Sequence, residues 1–158
     1  MNREIKFKAY IEVKNEQKFY NDEEVKLIDK KLLNVIEIWW KSGEVADIYT
    51  GQSTIFANYC NIKLLQYTGL KDKNGREIYE GDIIDINQTV NGCNLFAIVW
   101  DKIGFNARYW VNNTADRKYE YDIMELLDVN VNKYDKDIEV VGNIYENKEL
   151  LEDGNVRN

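Results

Sequence analysis

The chain has 158 residues, 44% hydrophobic and 31% charged, with 28 acidic residues against 21 basic and a formal net charge of −7. That length supports one domain, or one domain with a small appendage, and the acidic balance opposes direct, sequence-independent binding to nucleic acid. The absence of histidine removes the usual general base and the triads built on it; Cys60 and Cys93, with no C-x-x-C pair, argue against a zinc site and for reduced, packing thiols.

No apolar run approaches the roughly 20 residues of a membrane span. Lys6 and Lys8 interrupt the one N-terminal stretch that could act as a signal-peptide core. The expectation is a cytoplasmic protein with no membrane partner.

In chain order, residues 5–13 alternate, with Ile5, Phe7, Ala9, Ile11 and Val13 on one side and Lys6, Lys8, Tyr10 and Glu12 on the other. That period predicts a half-buried strand. Asn21 or Asp22 can cap a short helix carrying Val25, Ile28 and Leu32, although the segment 25–33 also suits an extended chain. Residues 35–40 and 45–49 flank Ser42-Gly43 and read as a hairpin. Trp39 and Trp40 are neighbours, so a strand sends them to opposite faces and leaves one outside unless something covers it. The cover is either the same chain or a subunit interface, where tryptophan is enriched. Residues 50–61 read as a linker between two lobes.

Beyond it, candidate strands at 62–67, 82–87, 95–101, 105–110 and 138–145 suit an SH3-like, strongly bent β-barrel. Ile123, Leu126 and Leu127 favour a short helix over 119–127 rather than a sixth strand, and residues 147–151 suit one helical turn. The fold expected is mostly β (α+β). An N-terminal β-hairpin lobe, 1–60, precedes the barrel, 61–151, and a loose tail, 152–158.

The run LLQYTGLKDKNGREIYEGDII at 64–84 joins two extended segments through the Asn74-Gly75 turn, and Gly81 bends the chain into the next strand. This run closely resembles the signature of the YopX family of phage and prophage proteins, QYTGLKDKNG-x-EIYEGDI. The opening Ile5-Lys6-Phe7-Lys8-Ala9-Tyr10 is similar to the family's IKFRAW start. Residues 139–151, EVVGNIYENKELL, are similar to its EVIGNIYENPELL ending, with Lys148 where the family often has proline. The match covers nearly the whole chain. It implies a phage setting, the host bacterial cytoplasm as location, and host machinery or host defence as the plausible target.

Three constellations could carry chemistry. Glu77, Glu80, Asp82 and Asp85 surround the YEGD step, but residues alternating along a strand divide between its faces, which disfavours a metal or acid–base pair. Tyr67, Tyr79, Trp100, Phe105, Tyr109 and Trp110 all fall on the expected barrel, where most must fill the core. Lys63, Lys71, Lys73 and Arg76 flank the DKNG turn and could receive a nucleotide phosphate, although no glycine-rich phosphate loop is present.

The residues expected to bind a ligand or partner are Lys63, Gln66, Tyr67, Lys71, Lys73, Arg76, Tyr79, Glu80 and Asp82. No catalytic residue, metal or cofactor is expected. The reading is a non-enzymatic, phage-encoded accessory binding protein acting on host machinery or host defence. A protein that sequesters a nucleotide signal is the alternative, and a nucleotide or phosphodiester hydrolase is remote. Residues 1–60 carry 10 acidic and 9 basic residues, so two copies of this lobe would not repel. A homodimer or larger even-numbered oligomer is expected, with Trp39 and Trp40 at the contact.

Overall fold

The computed structural model describes residues 4–14, 19–90, 93–101, 104–110, 118–122 and 138–152. The protein is mostly β, as expected. It divides into two units, Met1–Gln66 and Tyr67–Asn158.

In the first unit, β1 (Phe7–Val13) is followed by α1 (Asp22–Ile28) and β2 (Lys31–Val35). Helix α1 starts where the sequence allows it. Asn21 accepts from the Glu23 and Glu24 backbone N–H groups at 3.0 Å each, and Glu24 accepts from Asn21 N–H at 2.9 Å, closing a capping box. The helix stops at Asp29, whose carboxylate accepts from Val13 N–H at 2.8 Å. Lys30, at φ 53°, then turns the chain into β2. The two readings of 25–33 are thus each right for one part: Val25 and Ile28 are helical, while Leu32 lies on a strand.

β3 (Glu37–Lys41) and β4 (Glu44–Tyr49) form the hairpin, turned by Ser42 and Gly43 at φ 54° and 84°. β5 (Thr54–Phe56) adds to β4, giving the order β3-β4-β5. The segment 50–61, expected as a linker, therefore contains a strand. Its polar flanks hide Ile55, which is fully buried, and Tyr20 clasps it from outside the sheet. The Tyr20 hydroxyl donates to Thr54 C=O at 3.1 Å and accepts from Phe56 N–H at 3.0 Å.

The first part of β6 (Cys60–Lys71) pairs with β1, which also pairs with β2. Ala9, Ile11, Tyr20, Ile28, Ile48, Ile55 and Cys60 form this unit's core. Tyr10, assigned by the alternation to the solvent side of β1, is also buried.

In the second unit, the end of β6 pairs with β7 (Glu77–Tyr79). β8 (Asp82–Val90), β9 (Cys93–Asp101), β10 (Gly104–Trp110), β11 (Lys118–Asp122) and β12 (Glu139–Asn143) follow, and α2 (Glu149–Glu152) ends the described chain. Their order is β11-β10-β9-β8-β12, all antiparallel, in a strongly curled half-barrel. Ile78, Ile84, Ile86, Phe96, Ile98, Phe105, Ala107, Ile138 and Val140 fill its core. Residues 119–122, placed by sequence in the helix expected over 119–127, lie on strand β11. Lys-Tyr-Glu-Tyr-Asp has the two-residue period of a strand, whereas the apolar residues that suggested a helix lie at 123–127, outside the described residues.

Candidate functional site

The signature run builds two buried polar corners of the second unit. In the first, Asp72 opens the DKNG turn. One carboxylate oxygen accepts from Asn74 and Arg76 N–H at 2.8 and 2.9 Å, and the other accepts from Val140 N–H at 3.1 Å. Burial pushes this carboxyl up, but the three backbone donors and the Arg76 charge outweigh it and hold Asp72 below the usual carboxylate range. The basic residues of the turn serve the same join. Lys73 N–H donates to Ile138 C=O at 2.9 Å and its ammonium pairs with Glu139, while Arg76 donates to Val140 C=O at 3.2 Å.

In the second corner, Gly81 takes φ 79°, its N–H donates to Ile98 C=O at 2.7 Å, and its C=O accepts from Ile144 N–H at 2.8 Å. Asp82 accepts from Tyr79 N–H at 2.8 Å and from the Asn143 side-chain amide at 3.1 Å. Asn143 accepts in turn from Tyr145 N–H at 3.0 Å, and its own N–H donates to the Asn147 side chain at 3.2 Å. Beside them, Asp85 accepts from Asn87 N–H at 2.7 Å and from the Asn94 amide at 3.3 Å.

These contacts sort the residues expected to bind. Tyr67, Tyr79 and Asp82 are buried. The Tyr67 and Tyr79 rings pack at 5.4 Å, and Tyr79 donates its hydroxyl to Glu77 at 2.8 Å. Gln66 and Glu80 are half-buried, and Lys63, Lys71, Lys73 and Arg76 are exposed. Lys63 and Gln66 lie in the first unit and the other seven in the second. The carboxylates Glu77, Asp82 and Asp85 are each engaged by hydrogen bonds within the fold. Among the described residues no group of three or more His, Cys, Asp or Glu side chains could hold a metal ion. Sequence reasoning passed over Asp72, Asn94 and Asn143; the Asp-x-Asn-Gly spacing of an Asx turn was the available signal for Asp72.

Of the aromatic set, Phe105 is buried edge-on to a half-exposed Trp100 at 4.9 Å, and the Tyr109 and Trp110 side chains lie outside the described ones.

The first unit offers a different surface. Among the described strands β3 lies at a sheet edge, and Trp39 and Trp40 are 44% and 59% exposed, with Ile36 just before them at 63%. A register shift opposite Trp39 and Trp40, where β4 passes from Asp47 to Val45, accompanies this double exposure. A cleft of about 460 Å³ opens at the hairpin end, lined among others by Lys41, Glu44, Asp47, Ala57 and Asn58. Two carboxylates against one ammonium make it a poor phosphate site.

The fold is thus a two-unit, mostly β protein whose longest motif ties its last strand to the strands before it. The chain belongs to the YopX family: the family's model, described as YopX protein, matches residues 6–152. The crystal structure of protein EF1440 from Enterococcus faecalis is similar to it over 95% of this chain and 99% of that one, at 22% identity and a TM-score of 0.47. No curated protein matches the chain.

Proposed function

We propose that this YopX-family protein is a non-enzymatic accessory binding protein of a phage or prophage, acting by protein contact on host machinery or host defence. The observation that carries the reading is the exposure of Trp39 and Trp40, one on each face of edge strand β3, with Ile36 exposed just before the strand begins. Two large aromatic side chains exposed at the edge of a sheet mark a contact site rather than ordinary solvent-facing positions. The signature supports the same reading from the other side, because Asp72, Asp82 and Asp85 are occupied in holding backbone and amide groups. Nucleotide capture is the weaker reading, since Lys73 and Arg76 already engage Glu139 and Val140.

Capture from host lysate, run with the wild type and with Trp39→Ala and Trp40→Ala, tests this. A defined host protein retained by the wild type and lost with either substitution is the expected result. Mass spectrometry of the purified, denatured protein provides the opposing outcome: release of a stoichiometric nucleotide would replace protein contact with sequestration.

A further inference from the structure

We infer that the free edge of β3 pairs with β3 of a second copy, antiparallel and about a two-fold axis at Trp39. This rests on the reading of β3 as a contact surface and assigns its backbone edge to a second copy, so that the host protein meets the paired hairpins rather than a single one.

The direction of the backbone groups comes from the neighbouring strand pair. Ala57 N–H donates to Ala46 C=O at 2.8 Å, and Thr50 N–H donates to Ser53 C=O at 3.1 Å. Ala46, Ile48 and Thr50 therefore turn their backbone groups toward β5, and Asp47 and Tyr49 turn theirs toward β3. Their partners Trp39 and Glu37 face back toward β4. Ile38 and Trp40 are left with N–H and C=O directed to the open edge.

An antiparallel partner must meet Ile38 and Trp40 with residues whose groups are also directed outward. Pairing Ile38 with Trp40 of a second copy does this twice about the axis and uses all five residues of Glu37–Lys41. The same register sets Glu37 opposite Lys41 of the second copy on both sides of the axis, in close, non-hydrogen-bonded pairs. Neighbouring registers lose this match: centred on Ile38 they oppose Glu37 to Trp39, and centred on Trp40 they oppose Lys41 to Trp39.

The side chains agree with the backbone. Ile38 packs against the core of its own unit, and Trp40, on the same face of β3, is largely exposed. Pairing lays each Trp40 beside Ile38 of the other copy, extending the apolar layer across the axis. On the opposite face, Trp39 meets its own symmetry mate between the two charge pairs.

Light scattering on the full chain at tens of micromolar, with Glu37→Lys, Lys41→Glu and the double exchange, is the test. All three alter exposed side chains, and circular dichroism melts check that each variant folds. The wild type is expected to be dimeric. Each single reversal places like charges opposite one another twice, and roughly a tenfold or greater loss of dimer affinity is expected at low salt. The double exchange, which restores opposite charges in the same register, is expected to recover the dimer. A monomeric wild type, a dimer indifferent to the single reversals, or a double exchange no better than either single overturns the inference. If the wild type is monomeric and host-protein capture still depends on Trp39, only the occupant proposed here is wrong. If neither depends on Trp39, the reading of β3 as a contact surface falls as well.

Discussion

Asp82 and Asn143, 61 residues apart, meet side chain to side chain at 3.1 Å in a buried corner, with exposures of 1% and 2%. Each also satisfies a backbone group, Tyr79 N–H for Asp82 and Tyr145 N–H for Asn143. The pair links the step into β8 with the end of β12. Removing one partner leaves the other buried without the hydrogen bond between them. Asp82→Ala and Asn143→Ala should each destabilise by about 2–3 kcal/mol, and the double variant should cost at least about 1 kcal/mol less than their sum. Urea unfolding of the four proteins measures this, and additive losses would show that the pair does not act as a unit.

Two glycines in the same corner should respond differently for different reasons. A Cβ on Gly142 would lie 2.8 Å from both Asn147 Oδ1 and Leu150 Cδ1, so Gly142→Ala forces those side chains to give way and strains the bond from Asn143 N–H to Asn147 Oδ1. Gly81 has more room, 3.3 Å to Asn143 Nδ2 and Tyr145 Cε2, but its φ of 79° is hostile to a β-branched residue. Gly81→Val and Gly142→Ala should each cost about 1–3 kcal/mol, Gly81→Val more than Gly81→Ala. Unchanged melting of Gly81→Val would contradict this account of the signature's bend.

How far these features could be read in the sequence depended on how local their causes are. The hairpin at Ser42-Gly43, the DKNG turn and the bend at Gly81 follow from neighbouring residues, and the structure contains all three. β5 was missed because three residues give too short an alternation, and its fixing partner, Tyr20, lies more than 30 residues earlier. Tyr67, Tyr79 and Asp82 read as site residues because aromatic and charged side chains suggest ligands. Their burial depends on β6–β7 pairing and on Asn143, which no local pattern reveals. The exposure of both tryptophans depends on the place of β3 at a sheet edge, again a tertiary fact.

Asp72 should make part of the stability sensitive to acid. Its carboxyl is held below the ordinary value in the folded chain, so its contribution is fully present above the unfolded pKa of about 3.9 and disappears as pH falls through the folded value. Asp72→Asn should be clearly less stable near neutrality, with the gap from the wild type narrowing as pH is lowered from about 6 toward 3. Thermal melts across that range would show it. A gap independent of pH would mean that the charge on Asp72 contributes nothing to the turn.

The alkaline limb belongs to Tyr20. Burial pushes its phenol up to about 12, with the Phe56 backbone hydrogen bond opposing, and burial likewise pushes the neighbouring Cys60 thiol to about 11. Both groups are neutral when protonated, so their contribution is complete below their unfolded pKa values, about 8.5 for the thiol and 10 for the phenol, and is lost as pH rises through the folded ones. Tyr20→Phe keeps the ring but leaves Phe56 N–H and Thr54 C=O without the hydroxyl that joins them. It should cost about 1–3 kcal/mol at neutral pH and flatten the loss of stability between about pH 10 and 12. In the native wild type, Cys60 should resist iodoacetamide at pH 8, where an ordinary thiol reacts, and should become reactive in denaturant. Peptide mapping after alkylation reads this directly. Rapid native labelling of Cys60 would mean that the corner formed by β5, Tyr20 and Cys60 opens readily in solution, and that its two raised pKa values do not govern stability there.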